Sequence, residues 1–394
     1  MRLTQLDGLR GLAVLLVVAG HVAESVVPYG GVVGVTTFFV LSGFVITRGL
    51  LDEVDVAGRI DLRRFWARRV ARLLPAFGLL VVVVPVLVVV LDDPSRAVIG
   101  WQVLGAVTYT ADYVRAVGGD LGVLGHTWSL AVEEQFYAVW PLVLIGLVAL
   151  ARRRPRFSAV LLVAVVAAAV CWRVVATVVA PYDWLAYSFD TSVAALLLGC
   201  AGAVAVRVGI VPAVAGVRGI VLGTAGVLLL GLSTVCTLPI ALGPVDGITR
   251  WVGTTAVALA ALVVLSAARG AVPVLDLAPL RWLGTVSYGL YLWHFALLQL
   301  RPGGESITGP ARLAVIALAL VAATLSWYLV ERPVIRAVRR RGQPGRAADD
   351  DGPGHDGPAH DGSAHDGPGH DGPAHDGPAH DGPGRSEVSA VPAR

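Results

Sequence analysis

The sequence has 394 residues, of which 56% are hydrophobic and 15% charged, with a formal net charge of +3 and a mean hydropathy of +0.72. An ordinary soluble domain carries about 25% charged residues, so a soluble all-helical protein has too little charge here to cover its apolar surface. The arginines follow the apolar runs and form no basic groove, which excludes a nucleic-acid partner.

Runs of about 17–24 apolar residues predict an all-α polytopic membrane protein with about ten transmembrane helices. In chain order they cover approximately 9–27, 31–48, 73–91, 127–149, 157–179, 188–206, 219–238, 251–268, 283–299 and 312–330. The run 97–110 is too short to span and is expected to be interfacial or re-entrant. The first run has a basic flank but no small-residue cleavage site, so it is expected to be retained and not removed as a signal peptide.

The basic side chains other than histidine are all arginine. They crowd the links after spans two, four, six and eight, and the end of span ten: Arg59 to Arg72, Arg152 to Arg156, Arg207 with Arg218, Arg269 with Arg281, and Arg332 to Arg341. The alternate links hold only isolated arginines such as Arg96, Arg115 and Arg301. Charge bias of this kind predicts a multi-pass plasma-membrane protein with both termini cytoplasmic. Cys171, Cys200 and Cys236 show neither metal-ligand nor disulfide spacing, and no metal is expected.

Residues 1–341 form the expected membrane domain. Residues 342–394 carry a five-residue His/Asp/Gly/Pro repeat from His355 to Gly382 and lack the apolar groups to build a core, so a disordered cytoplasmic tail is expected. A spacer or a neutral repeat expansion is the main reading of that tail, with weak divalent-metal binding as its rival.

Six of the nine histidines lie in the repeat, which leaves His21, His126 and His294. Each lies in or beside an apolar span, where an ionisable group is costly and faces a protein interior or cavity. Arg10 and His21 are eleven residues apart, close to three turns, so they share a face with roughly 16 Å between them. An arginine at one mouth suits an anionic donor, and a deeper histidine suits proton transfer. The alternatives are a positive-inside anchor and a packing histidine.

In HTWSLAVEEQFYAVWP, residues His126, Ser129 and Glu133 form one helical stripe, followed by Glu134. A carboxylate there can orient a histidine, as in acyl transfer, or serve a helix N-terminus. In SYGLYLWH, Ser287, Tyr291 and His294 form a further stripe. Arg173, inside span five, needs a partner or a polar cavity, and Asp190 is available on depth alone.

These segments together resemble the integral-membrane acyltransferase-3 family over almost all of residues 1–335. The matching pieces are LDGLRGLAVLLVVAGH with Arg10 and His21, FFVLSGFVI with Ser42, RVARLLP with Arg69 and Arg72, HTWSLAVEEQFYAVWP with Glu133 and Glu134, SYGLYLWH with Ser287, Tyr288 and His294, and the closing ERP at Glu331 to Pro333. The resemblance implies about ten transmembrane helices and transfer of an acyl group, often acetyl, from cytosolic acyl-coenzyme A to a hydroxyl. The acceptor would be a glycan, a glycolipid or a small molecule such as an antibiotic.

On that resemblance, His21 is the expected base and Glu133, Glu134 and His126 complete the catalytic set. Arg10, Arg69 and Arg72 hold the coenzyme A phosphates, while Ser42, Ser287, Tyr288 and His294 line the substrate path. Some members add an extracytoplasmic SGNH-type domain. None is visible in this sequence, so a relay through a fused domain is not expected, while a separate extracytoplasmic partner stays open. Surface or exported polysaccharide is the first-choice acceptor, and direct transfer and an acyl-histidine intermediate are equally open. The rival function classes are a transporter or flippase of a glycan-related substrate and a non-catalytic membrane scaffold.

Overall fold

The computed structural model describes residues 4–211, 217–235 and 245–341, and these form an all-helical body. The helices are α1 (Thr4–Val22), α2 (Gly30–Ala57), α3 (Leu62–Val90), α4 (Ile99–Val107), α5 (Ala111–Ala116), α6 (Thr127–Arg153), α7 (Pro155–Val179) and α8 (Tyr182–Tyr187). They continue with α9 (Phe189–Arg207), α10 (Val217–Ser233), α11 (Val245–Ala268), α12 (Ala278–Gln299), α13 (Ala311–Ser326) and α14 (Arg332–Arg341). A π-helical turn, Trp327–Glu331, joins the last two. Cys236 and the repeat tail lie outside the described residues.

Eight helical segments among the described residues are long and apolar enough to cross a membrane, so the chain is a multi-pass membrane protein. The remaining two expected spans are also helices in the expected places. α10 has 17 residues. α12 has 22 residues but carries Arg281, Ser287, Tyr291 and His294, which lower its hydropathy. The run around residue 100 gives only the nine-residue α4, about 13 Å long and too short to span.

Two boundaries differ from the sequence expectation in ways that matter. Span three was expected from residue 73, yet α3 begins at Leu62, capped by the Asp61 carboxylate, which accepts from the Arg64 N–H at 2.9 Å. Hydropathy locates the apolar part of a helix and misses its polar first turns, so Arg69 and Arg72 stand on a helix and not in a loop. Likewise α1 covers 4–22 instead of 9–27, because Glu24, Ser25 and Pro28 follow and break it. His21 therefore occupies the last turn of α1.

The centre of the body is α1, α2 and α12, with α9 and α11 against α2 and α13 against α12. Burial follows that order: 67% of the apolar window of α2 is covered by protein, against 11% for α7, whose valines and leucines are left for lipid. Small residues allow the closest crossings. A Cβ on Gly284 of α12 would stand 1.8 Å from the Asp7 carbonyl oxygen of α1, and one on Gly199 of α9 2.0 Å from the Val40 carbonyl oxygen of α2. At its start α1 is pinned by Thr4 and Gln5, which donate to Asp276 at 2.5 and 2.7 Å and hold that carboxyl below the usual range. These contacts fix the rotation of α1, and hence the faces that Arg10 and His21 present.

Candidate active site

Two cavities lie along α1, one at the Arg10 end and one at the His21 end. The first has a volume of about 140 Å³ and includes Arg10, Ser42, Arg69, Arg72, Glu133, Ser287 and Tyr288 in its wall. The second, about 680 Å³, includes His21, His126, Arg173 and Arg312. Val35, Phe39 and Tyr291 belong to both walls, so the two volumes adjoin across those side chains.

At the His21 end, three histidines from three distant segments converge. His21 Nδ1 lies 2.8 Å from the Val17 carbonyl oxygen, one turn back on its own helix. His294 Nδ1 lies 2.9 Å from the Leu290 carbonyl oxygen in the same relation on α12. A carbonyl only accepts, so each Nδ1 carries the proton and each Nε2 is left as the basic nitrogen. His294 Nε2 faces His21 Nδ1 at 3.4 Å. His126 stands at the N-terminus of α6, 6.5 Å from the His294 ring centre and 4.9 Å from that of Phe295. It is buried, and neither of its ring nitrogens has a hydrogen-bond partner. Among the described residues, no group of three or more histidines, cysteines and carboxylates has a metal-holding arrangement.

Between the cavities, the Tyr291 hydroxyl lies 2.6 Å from Ser129 Oγ and donates to the His126 carbonyl at 3.1 Å. Both expected stripes, His126 with Ser129 and Ser287 with Tyr291 and His294, thus face the interior and meet each other.

The carboxylates of α6, expected to orient a histidine or the acceptor's sugar hydroxyls, lie against a serine and an arginine. Ser42 Oγ donates to Glu133 at 2.8 Å, and the Arg69 guanidinium lies 3.4 Å from Glu134 and 3.8 Å from Glu133. The same guanidinium sits 3.3 Å above the Tyr137 ring, a cation–π contact. Arg69 is thus committed to neutralising two adjacent acids that α6 carries into the bundle. Arg10 pairs with Asp7 at 2.9 Å, whereas Arg72 has no ion-pair partner among the described residues. Tyr288 donates to the Leu73 carbonyl at 3.3 Å, and Ser287 to the Gly284 carbonyl at 3.0 Å. Glu331 of the ERP segment is buried at the π-turn and accepts from Ser326 at 2.9 Å.

Arg173 lines the larger cavity, as its depth in α7 required. Its hydrogen bonds go to the Leu185 carbonyl at 3.0 Å and to Thr254 at 3.3 Å. Asp190 is engaged elsewhere, by Trp172 at 2.7 Å, Trp184 at 3.3 Å and Ser188. Sequence reasoning missed Tyr137 as the platform for Arg69, although it lies one turn after Glu133 on the same stripe. It also missed the gathering of Arg115, Arg250, Arg301 and Arg312 around the larger cavity, for which there is no local signal.

The profile of the acyltransferase-3 family, described as an acyltransferase domain, matches residues 3–331. YrhL of Bacillus subtilis, provisionally named a peptidoglycan O-acetyltransferase, is 32% identical over 350 residues, covering 84% of this chain and 54% of that protein. The peptidoglycan O-acetyltransferase OatA of Listeria monocytogenes is 30% identical over 352 residues, covering 84% and 55%. A provisionally named O-acetyltransferase of Staphylococcus aureus is 27% identical over 347 residues, covering 83% and 56%. The chain therefore spans about half the length of these relatives. No solved structure matches. With the family's arginine–histidine pair on α1, its paired glutamates on α6 and its aromatic–histidine segment on α12 all converging on two adjoining cavities, the chain belongs to the integral-membrane acyltransferase-3 family.

Proposed function

We propose that the chain is a membrane O-acyltransferase that moves an acyl group, acetyl in the first instance, from acyl-coenzyme A to a hydroxyl of a glycan, glycolipid or secondary metabolite. The observation that carries this reading is the pair of adjoining cavities, cationic at the Arg10 end and basic at the His21 end. The relatives named as O-acetyltransferases favour acetyl as the group and a glycan as the acceptor.

The smaller cavity, at about 140 Å³, is below the roughly 300–1,000 Å³ of a site that encloses a whole drug-sized ligand. It suits the pantetheine arm, with the nucleotide held outside its mouth. Arg72, without an ion-pair partner among the described residues, holds phosphate there, and Arg10, already paired with Asp7, flanks it. Arg69 shapes the wall through Glu133, Glu134 and Tyr137. The thioester then lies near Phe39 and Tyr291, where the acceptor arrives from the larger cavity.

His21 Nε2 takes the acceptor's hydroxyl proton as the oxygen attacks the thioester carbon. A carbon–oxygen bond forms, the carbon–sulfur bond breaks, and the thiolate of coenzyme A recovers the proton from the imidazolium. The Val17 carbonyl and His294 Nε2 both face His21 Nδ1 and stabilise that cation while it exists. An acyl-histidine relay uses the same nitrogen; radiolabel retained on the protein after donor alone identifies the relay, and its absence in a single turnover identifies direct transfer.

Both termini are placed on the cytosolic side, with the Arg10 cavity opening there. A tag inserted after Leu185 should then be labelled from outside the cell, and labelling only from the cytosol reverses the orientation. A separate extracytoplasmic protein that passes the group onward is compatible with this scheme.

The deciding experiment is transfer of labelled acetyl from acetyl-coenzyme A in purified membranes, followed by separation of lipid, glycan and small-molecule fractions. Wild type should label one fraction, and His21→Ala at matched protein level should lose ~10²–10⁴-fold of it, the range for an acid–base residue. Equal labelling removes His21 from the chemistry. Substrate movement without loss of acetyl-coenzyme A establishes a transporter instead.

A further inference from the structure

We propose that the acceptor carries an acid group, a carboxylate or a phosphate, beside the hydroxyl that is acylated, and that the His21-end cavity recognises it. This rests on the reading above in taking that cavity as the acceptor site.

Five arginines line the cavity, Arg115, Arg173, Arg250, Arg301 and Arg312, against two carboxylates, Glu24 and Asp120. Both carboxylates are solvent-exposed. Membrane topology does not account for this cluster. Arg115 and Arg301 come from the links that are otherwise poor in arginine, and Arg173 lies well inside an apolar helix. Five separate stretches of chain would have to place cations at one volume by coincidence.

The way these side chains are held points to a ligand. Arg173 is only 8% exposed, and its hydrogen-bond partners are neutral, the Leu185 carbonyl and Thr254. No carboxylate lies within ion-pair distance of it among the described residues, and no hydrogen bond uses its second terminal nitrogen. Arg250 donates to the Ala180 carbonyl at 2.6 Å, and Arg312 to the carbonyl of His21 itself. Arg115 donates to the Tyr187 hydroxyl at 2.9 Å and stacks 4.5 Å over that ring, with the exposed Asp120 at 3.6 Å.

Neutral acceptors orient a guanidinium without cancelling its charge. Asp190 acts on Arg173 only from beyond ion-pair distance. A buried cation without a close counterion is costly, and an arriving carboxylate or phosphate removes that cost through paired N–H···O contacts. Arg312, fixed to the His21 backbone, brings this requirement next to the base. The acid group must therefore sit close to the reacting hydroxyl. Trp128 and Tyr187, whose rings meet edge to face at 5.1 Å, offer an apolar wall to the body of the same ligand.

The test uses the full chain in phosphatidylcholine nanodiscs, with His21→Ala to prevent turnover, and reads binding by equilibrium dialysis. Three labelled probes are compared: a hexuronic-acid tetrasaccharide, the same tetrasaccharide with its carboxyls reduced to neutral hydroxymethyl groups, and a hexose linked to a polyprenyl diphosphate. At low salt at least one of the two anionic probes should bind about tenfold tighter than the neutral one, and the difference should shrink at high salt. Which anion wins distinguishes a glycan carboxylate from a lipid-linked phosphate. Arg173→Gln should narrow the difference, and so should Arg301→Gln, whose exposed side chain makes no bond that the fold needs.

Equal or tighter binding of the neutral probe overturns the proposal, as does a preference that survives both substitutions. Acetyl transfer by wild type to a neutral acceptor in preference to an acidic one overturns it while leaving the acyltransferase reading intact. Arginine-dependent anion binding without any His21-dependent acetyl transfer does the reverse.

Discussion

The two cavities along α1 treat their arginines in opposite ways. At the Arg10 end, Arg10 is paired with Asp7 and Arg69 with Glu133 and Glu134. At the His21 end, Arg173, Arg250 and Arg312 rest on uncharged oxygens, whereas Arg115 meets a carboxylate, the exposed Asp120, at 3.6 Å. Burying a cation beside carboxylates fixes geometry and leaves little field for a ligand. Burying one against carbonyls fixes geometry and leaves the charge available. The contrast separates Arg69, which builds a wall, from side chains whose charge stays open to a ligand, and within the Arg10 end Arg72 is the member without an ion-pair partner among the described residues.

The largest effect should come from breaking the paired end. Arg69→Ala strands two half-buried carboxylates and should lower the stability of the detergent-solubilised protein by about 3 kcal/mol, the lower end of the cost of removing one partner from a buried ion pair. Adding Glu133→Gln and Glu134→Gln to the same chain should recover much of that loss, because the stranded charges are then gone. A single substitution that leaves the thermal midpoint unmoved would show that Arg69 does not hold this wall together.

How much of this was legible differs between the two ends for a physical reason. The membrane class, the approximate places of the expected helices among the described residues and several polar residues of the Arg10 cavity follow from local pattern: apolar run length, helical stripes and short motifs. Arg10 and His21 are readable because one helix carries both at a three-turn spacing. The contact of Glu133 and Glu134 with Arg69 was not readable, since that cation comes from α3, and hydropathy had left the first turns of α3 outside the helix. The arginine cluster at the other end was invisible. Its members stand on segments separated by up to about two hundred residues, and although Arg173 stood out by its depth, only the packing of α7 on α9 and α11, of α11 on α2 and of α13 on α12 brings them together.

A buried acid with no cation sharpens the comparison. Asp112, on the short helix α5 outside the spanning segments, is fully buried, with Oδ1 accepting from Gln135 at 3.0 Å and Oδ2 unpartnered. Burial pushes its carboxyl up to about 6, and the hydrogen bond from Gln135 offsets only part of that. The folded chain thus keeps a proton that the unfolded chain releases from about pH 4 upward. Stability should fall as pH rises from about 4 to about 6, and the whole cost, about 2–3 kcal/mol for a shift of this size, is in place above that. Asp112→Asn keeps the acceptor for Gln135 and removes the charge. It should melt higher than wild type at pH 7.5 and the same as wild type near pH 4; a wild-type midpoint that does not change between those values would contradict the assignment.

The smallest effect is the most direct test of the division between wall and ligand site. Arg72 lines the cavity at the Arg10 end without an ion-pair partner among the described residues, so its removal breaks no ion pair and should leave the melting temperature close to that of wild type. Its charge should instead be spent on a phosphate of acyl-coenzyme A. Arg72→Gln should raise KM for acetyl-coenzyme A about tenfold, or about 1.4 kcal/mol, with kcat little changed, the pattern of lost ground-state binding. A donor lacking the 3′-phosphate then identifies which phosphate is read. If Arg72 holds that group, wild type loses affinity for the truncated donor and Arg72→Gln loses no more; if the two losses add, Arg72 acts on the diphosphate or on no phosphate at all. A substitution that lowers stability and leaves KM alone would move Arg72 to the wall, beside Arg69.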